Sequence, residues 1–328
     1  MRSRAAEFPL RKWSRRLAIS GIGVLLLMGC AGDPVLPGST QPTGTLLIEG
    51  TVPQTLAGLS TYSFDSGRLI SIASRVSAPR DRLSPDGRTV FSFSGGSPED
   101  VYRLVSAQEP NATIPLLQFP APDGTNASGL AVKEDRGIPA VGFLETSSSP
   151  LPDKSIFRVH RVGTAGWSDT LLFLGKLAGL SWHPDGRRLV TTVFEAGFTG
   201  AGRVAIVDLT SQSVSMIGPR EAVAGGDAEL SPDGGTLVYS RVSDDGLTTE
   251  LVSMGFEGGR EIPLPPHFEG WMPAFSPDGR YLAFCKSVQV GINRLRGRFI
   301  LRIADGQVEQ ILPPDQYPTL GCIHDWVK

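Results

Sequence analysis

The chain has 328 residues, 39 of them Gly and 26 Pro, with 40% hydrophobic residues and a formal charge of −2. Six bases and one acid fall in residues 1–29, so residues 30–328 carry a net −7, and an acidic body repels polyphosphate. Nucleic acid is therefore set aside as a partner, and beyond residue 30 no long run has the apolar period of a helix, which excludes an α-helical fold.

The first predicted element is an export signal. Arg2, Arg4, Arg11, Lys12, Arg15 and Arg16 precede the mainly apolar run "LAISGIGVLLLM" (17–28), and Gly29-Cys30-Ala31 comes next. A basic stretch, a short apolar core and a small-residue cut site make up a signal peptide. The run falls short of the roughly 18–20 apolar residues that a spanning helix needs. "LMGC" (27–30) resembles the bacterial lipobox, so residues 1–29 are the expected signal and Cys30 the expected lipid attachment point. Ala31 after the cysteine resembles lipoproteins sorted to the outer membrane. Residues 30–43 are rich in Pro, Gly, Ser and Thr and read as a flexible tether to an exported body at 44–328.

That body repeats itself. "RLSPDGRTVFSF" (82–93) returns as "LSWHPDGRRLVTTVF" (180–194), "LSPDGGTLVYS" (230–240) and "FSPDGRYLAFC" (275–285). The turn aspartates Asp86, Asp185, Asp233 and Asp278 are separated by 99, 48 and 45 positions. The first gap is double, and "AVKEDRGIPAVGF" (131–143) fills it with a degenerate copy at Asp135. A further step of 47 reaches Asp325. In each such turn Pro presets the second position, Asp bonds backbone two residues on, and Gly takes the left-handed conformation. The aspartates are expected as structural turn residues, one per repeat, spread too widely to converge on one metal ion.

Three more strand-like runs lie in each interval, and the set missing after Asp325 is present at 45–74. The spacing predicts an all-β, six-bladed β-propeller of four-stranded blades, with seven blades as the alternative. The last blade takes its inner strand from 319–327 and its outer strands from the N-terminal side, which pairs edges otherwise left open. These motifs resemble the Pro-Asp-repeat propellers of the TolB type, relatives of WD-repeat propellers, over about residues 44–328. TolB also carries an α/β domain ahead of its propeller, for which residues 1–43 leave no room, so its Pal-binding role is not carried over.

Longer loops, including the basic "CKSVQVGINRLRGR" (285–298), gather on the face opposite the turns and mark it as the expected binding face. Trp271, Met272, Asp227, Arg80, Asp81, His267, Arg294 and Arg296 are its candidate residues. Cys285 and Cys322 are the remaining cysteines, and they could equally pair as a disulfide in an oxidising envelope or stay free as buried thiols. The four histidines, His160, His183, His267 and His324, show no metal-ligand spacing, and no nucleophile elbow is present. The expectation is a monomeric, lipid-anchored module that binds an envelope protein or glycan without catalysis or cofactor. The alternatives are a hydrolase or lyase with its site at the channel mouth, and a small-ligand sensor using Trp271 and Asp227.

Overall fold

Each well-preserved Pro-Asp motif closes a hairpin with the same bonds. The N–H of Gly87 donates to the Ser84 carbonyl at 2.8 Å, and Gly186, Gly234 and Gly279 repeat this with His183, Ser231 and Ser276. These four glycines sit at φ between +69° and +77°, which glycine adopts without a Cβ clash. Asp86, Asp185, Asp233 and Asp278 accept the N–H of Arg88, Arg187, Gly235 and Arg280 at 2.8–3.2 Å. In three turns a serine hydroxyl, from Ser84, Ser231 or Ser276, donates to the aspartate and accepts the N–H five positions on. Every partner lies within six residues, so the motif specifies its own fold wherever it is written.

The computed structural model describes residues 41–49, 58–72, 81–95, 101–108, 112–120, 125–135, 138–147, 154–162, 168–174, 176–194, 201–219, 223–243, 248–264, 269–318 and 320–328. The signal, Cys30, Arg80 and His267 lie outside these residues. Among the described residues there are strands and no helix.

The first strands are β1 (Thr45–Glu49), β2 (Leu59–Ser63) and β3 (Arg68–Ile72). Four more come after them as β4 (Arg82–Leu83), β5 (Val90–Gly95), β6 (Val101–Gln108) and β7 (Ala112–Pro120). Next are β8 (Thr125–Asp135), β9 (Ile138–Ser147), β10 (Lys154–Arg161) and β11 (Ser168–Leu174). Then come β12 (Lys176–Trp182), β13 (Arg188–Phe194), β14 (Ala201–Asp208) and β15 (Ser213–Met216). They are succeeded by β16 (Val223–Leu230), β17 (Thr236–Val242), β18 (Thr249–Gly255) and β19 (Ile262–Pro263). The last are β20 (Trp271–Phe275), β21 (Tyr281–Val290), β22 (Asn293–Arg302), β23 (Gln307–Ile311) and β24 (Ile323–Val327).

These strands form five sheets where six separate ones were expected. Four have four strands, in the orders β24-β1-β2-β3, β4-β5-β6-β7, β11-β10-β9-β8 and β20-β21-β22-β23. The fifth has eight, because Ala201 and Gly202 at the start of β14 pair with Ala224 and Val223 of β16. That short bridge joins the β12–β15 group to the β16–β19 group. The degenerate motif also forms a hairpin, with Asp135 opposite Ile138.

Apolar clusters fill the spaces between consecutive groups. Val190, Val204 and Ile206 meet Ala228, Leu237 and Tyr239, while Leu144 and Phe157 meet Leu177, Leu189 and Ala205. At the other end of the chain, Ala274, Tyr281 and Ile300 pack against Leu46, Ile48, Ile323 and Trp326. Leu47 and Leu59 then pack on Leu83 and Val90. Val238 and Leu251 likewise pack on Phe275 and Leu282, and Arg82 of β4 bonds to the Leu130 carbonyl of β8, so the contacts return to where they began. β24 pairs antiparallel with β1, Asp325 opposite Leu47, so the C-terminal strand closes the N-terminal sheet as the spacing predicts. The architecture is an all-β propeller arrangement.

Candidate binding site

The hairpin register places one residue of each inner strand at a matching height. Arg82 pairs with Phe91, Ser181 with Val190, Glu229 with Val238 and Ala274 with Ala283, each four positions before its turn aspartate. Asp325 corrects the sequence expectation. It lies inside β24, opposite Leu47 of β1, and not in a turn.

Arg82 reaches from β4 to four other groups of strands. Its Nε donates to the Leu130 carbonyl of β8 at 2.9 Å, and Nη2 to the Leu180 carbonyl of β12 at 2.9 Å. Nη2 also meets Glu229 of β16 at 3.2 Å, and Nη1 meets Asp325 of β24 at 3.3 Å. Asp325 accepts the Leu83 N–H at 2.8 Å, and Ser181 donates to Glu229 at 3.4 Å. Burial alone would lower the Arg82 pKa, but Glu229 and Asp325 outweigh it and hold the guanidinium above its ordinary value. The cluster holds one cation and two carboxylates.

Above it, at the turn-bearing ends of the inner strands, opens a cavity of about 910 Å³. Arg82, Ser181, Glu229 and Asp325 line it, with Trp182 and Lys133 among the other lining residues. Lys133 lies 4.1 Å over the Trp182 ring and donates to the Gly186 carbonyl at 3.0 Å, which fixes both. His183 also lines the cavity, with both ring nitrogens engaged: Arg188 Nη2 lies 3.3 Å from Nε2, and Asp185 Oδ2 2.9 Å from Nδ1. Burial would raise the Asp185 pKa, but the Arg187 and Arg188 N–H groups, the Arg188 guanidinium and His183 hold it well below the usual carboxylate range. Among the described residues, no group of three or more His, Cys, Asp or Glu could hold a metal ion.

The residues singled out from the sequence divide in two. Asp86 and Asp185 stand on the cavity rim, tied into their turns, and Asp325 lies on its floor. Asp135 closes β8 and Asp227 stands within β16. Trp271, Met272, Asp81, Arg294 and Arg296 do not line the cavity. Trp271 donates its indole N–H to Cys322 Sγ at 3.2 Å, and Met272 sits at φ +55° where the β20–β21 register slips. Asp81 is buried against His324, whose Nδ1 accepts its backbone N–H at 3.1 Å. Arg296 pairs with Glu49 at 2.7 Å.

Of the two alternatives for the cysteines, the structure has free buried thiols at Cys285 and Cys322 and not a disulfide. Burial pushes Cys285 well up, so it stays a thiol hydrogen-bonded to Cys322, whose own pKa is lowered by that bond. The basic stretch at 285–298 is no loop either, since β21 and β22 pair without interruption from Tyr281↔Arg302 to Val290↔Asn293. Sequence reading missed Arg82, Ser181 and Glu229. Polar residues four positions before the turn aspartate, on otherwise apolar inner strands, were the available signal.

No protein-family model matches the sequence, and no curated protein resembles it in sequence. Solved structures do resemble it in fold. TolB from Acinetobacter baumannii superposes with a TM-score of 0.63 at 17% identity, covering 87% of this chain and 66% of that one, about two thirds of its length. A putative TolB from Agrobacterium tumefaciens matches at 0.55 and 12%, covering 88% and 99%. An oligogalacturonate lyase from Vibrio parahaemolyticus matches at 0.53 and 11%, covering 83% and 80%. With the cyclic packing of the sheets, these likenesses show that the chain has a TolB-like β-propeller fold.

Proposed function

We propose that this protein is a lipid-anchored binding propeller of the cell envelope, holding part of a partner protein or envelope polymer in the turn-face cavity. The eight-stranded sheet counts as two blades, since among the described residues two residue pairs join its halves, and six blades result. The signal-like residues 1–29 and Cys30 in "LMGC" support export and acylation.

The observation that carries the binding reading is the Arg82 floor. A guanidinium shared among four neighbouring groups of strands ties their inner strands together at the base of the cavity. Glu229 and Asp325 are paired with Arg82, and His183 with Asp185 and Arg188, which supports a preformed recognition surface over acid–base chemistry. The likeness to the Vibrio lyase is one of fold, and fold hosts many functions.

The test is a pull-down of the acylated protein from its native envelope, comparing wild type with Val132→Trp. Val132 is a half-buried residue lining the cavity, and the larger ring obstructs it. Loss of the captured partner is expected, together with a mature mass that starts at acylated Cys30. Capture at wild-type yield by Val132→Trp would overturn the cavity as the binding site.

A further inference from the structure

The β21–β22 hairpin extends past its own sheet. β20 accompanies β21 as far as Trp271↔Cys285, and β23 accompanies β22 only to Ile311↔Arg298. Residues 286–297 therefore project as a two-stranded ribbon, turned at Gly291 with φ +59°. Among the described residues, no strand pairs with either outer edge of this ribbon. An unpaired edge offers its N–H and C=O groups to an added strand.

The register sorts the ribbon's side chains into two faces. Ser287↔Arg296 and Gln289↔Arg294 share one face with Cys285↔Arg298, so Arg294, Arg296 and Arg298 form a row. Arg298 is fully buried and donates to the carbonyls of Leu312, Tyr317, Leu320 and Gly321, which anchors the base of the ribbon. Arg296 is half-exposed in a pair with Glu49. Arg294 is exposed and has no acidic partner among the described residues. The opposite face carries Val288↔Leu295, and Ile292 at the tip is 96% exposed.

Charge decides what can pair there. Residues 286–302 contain Lys286, Arg294, Arg296, Arg298 and Arg302 and no acid, on a body whose net charge is −7. A second copy of the ribbon is repelled by the first, whereas an acidic strand is attracted. Alternate residues of a strand lie about 6.6–7 Å apart on one face, so Arg294 and Arg296 match carboxylates spaced two residues apart.

We propose that the free edge of β22 is a second docking surface, separate from the cavity, which takes an extended acidic protein segment of the form Glu-x-Glu as an added strand. Backbone bonds supply affinity and the two arginines supply selection. The exposed Arg296–Glu49 pair is cheap to exchange for a partner carboxylate.

The test uses the full mature protein and a fluorescent peptide of alternating Glu and Val, read by anisotropy. Controls are the Lys-Val peptide, an N-methylated Glu-Val peptide and vesicles of phosphatidylglycerol. The Glu-Val peptide is expected to bind, Arg294→Glu to weaken it roughly tenfold with an unchanged melting temperature, and added salt to weaken it further. N-methylation, which removes backbone donors, is expected to abolish binding. Equal binding by Arg294→Glu, or by the N-methylated peptide, would overturn strand addition. Arg294-dependent binding of vesicles with none of the Glu-Val peptide would overturn it in favour of a membrane surface.

Discussion

The Arg82 guanidinium of β4 meets the Asp325 carboxylate of β24 at 3.3 Å, across 243 positions of sequence. The contact lies where the C-terminal strand enters the N-terminal sheet, so ring closure and the cavity floor depend on one another. Arg82→Met would leave Glu229 and Asp325 facing each other without their cation. The expected loss is about 3–5 kcal/mol, measured by denaturant unfolding. The triple variant R82M/E229Q/D325N should lose less than R82M alone, because it removes the charges together.

The hairpin aspartates set the acid limit of stability. Asp86 and Asp233 are held low chiefly by the Ser84 and Ser231 hydroxyls. Burial would raise Asp185 and Asp278, but neighbouring donors outweigh it and both are lowered. A depressed folded pKa contributes stability that is present above the unfolded value of about 3.9 and is lost as pH falls through the folded values. Asp185→Asn should therefore be less stable than wild type at neutral pH, with the difference shrinking below about pH 4. Unfolding midpoints across pH check this, and a constant difference would contradict it.

Glycine positions separate backbone cost from collision. Gly67 has φ +65° and open space where a Cβ would go. Gly234 has φ +77°, and its Cβ would lie 2.6 Å from His183 Nε2 and 2.9 Å from Pro184 Cδ. Gly67→Ala is expected to cost about 1 kcal/mol from the left-handed backbone alone. Gly234→Ala should cost clearly more, because His183 is held by Arg188 and Asp185 and cannot yield freely. Paired thermal melts read the difference.

The two buried thiols predict a chemical signature. Cys285 and Cys322 should resist alkylation in the native protein and react fully once it is unfolded. Reduction of the exported protein should leave its mass unchanged. Cys322→Ala removes the acceptor of the Trp271 indole and should be destabilising, with a change in tryptophan fluorescence.

The reach of each interaction governs how much of the protein was legible before folding. The sequence by itself determined the hairpins and the closure of the chain on itself, because every Ser-Pro-Asp-Gly bond lies within six residues and the motif recurs at near-constant spacing. Spacing located Asp325 but not its role, which is set by tertiary contacts: it lies opposite Leu47 of β1 and its carboxylate meets Arg82 of β4. The stretch 285–298 read as a loop from its charges, yet the Val288↔Leu295 and Phe284↔Phe299 pairings make it a ribbon. Only the tertiary structure decided which face holds the cavity. Arg82, Ser181 and Glu229 share a place four positions before their turn aspartates, but that they and Asp325 meet is decided by sheets packed in a cycle that brings the turn-bearing ends of the inner strands together.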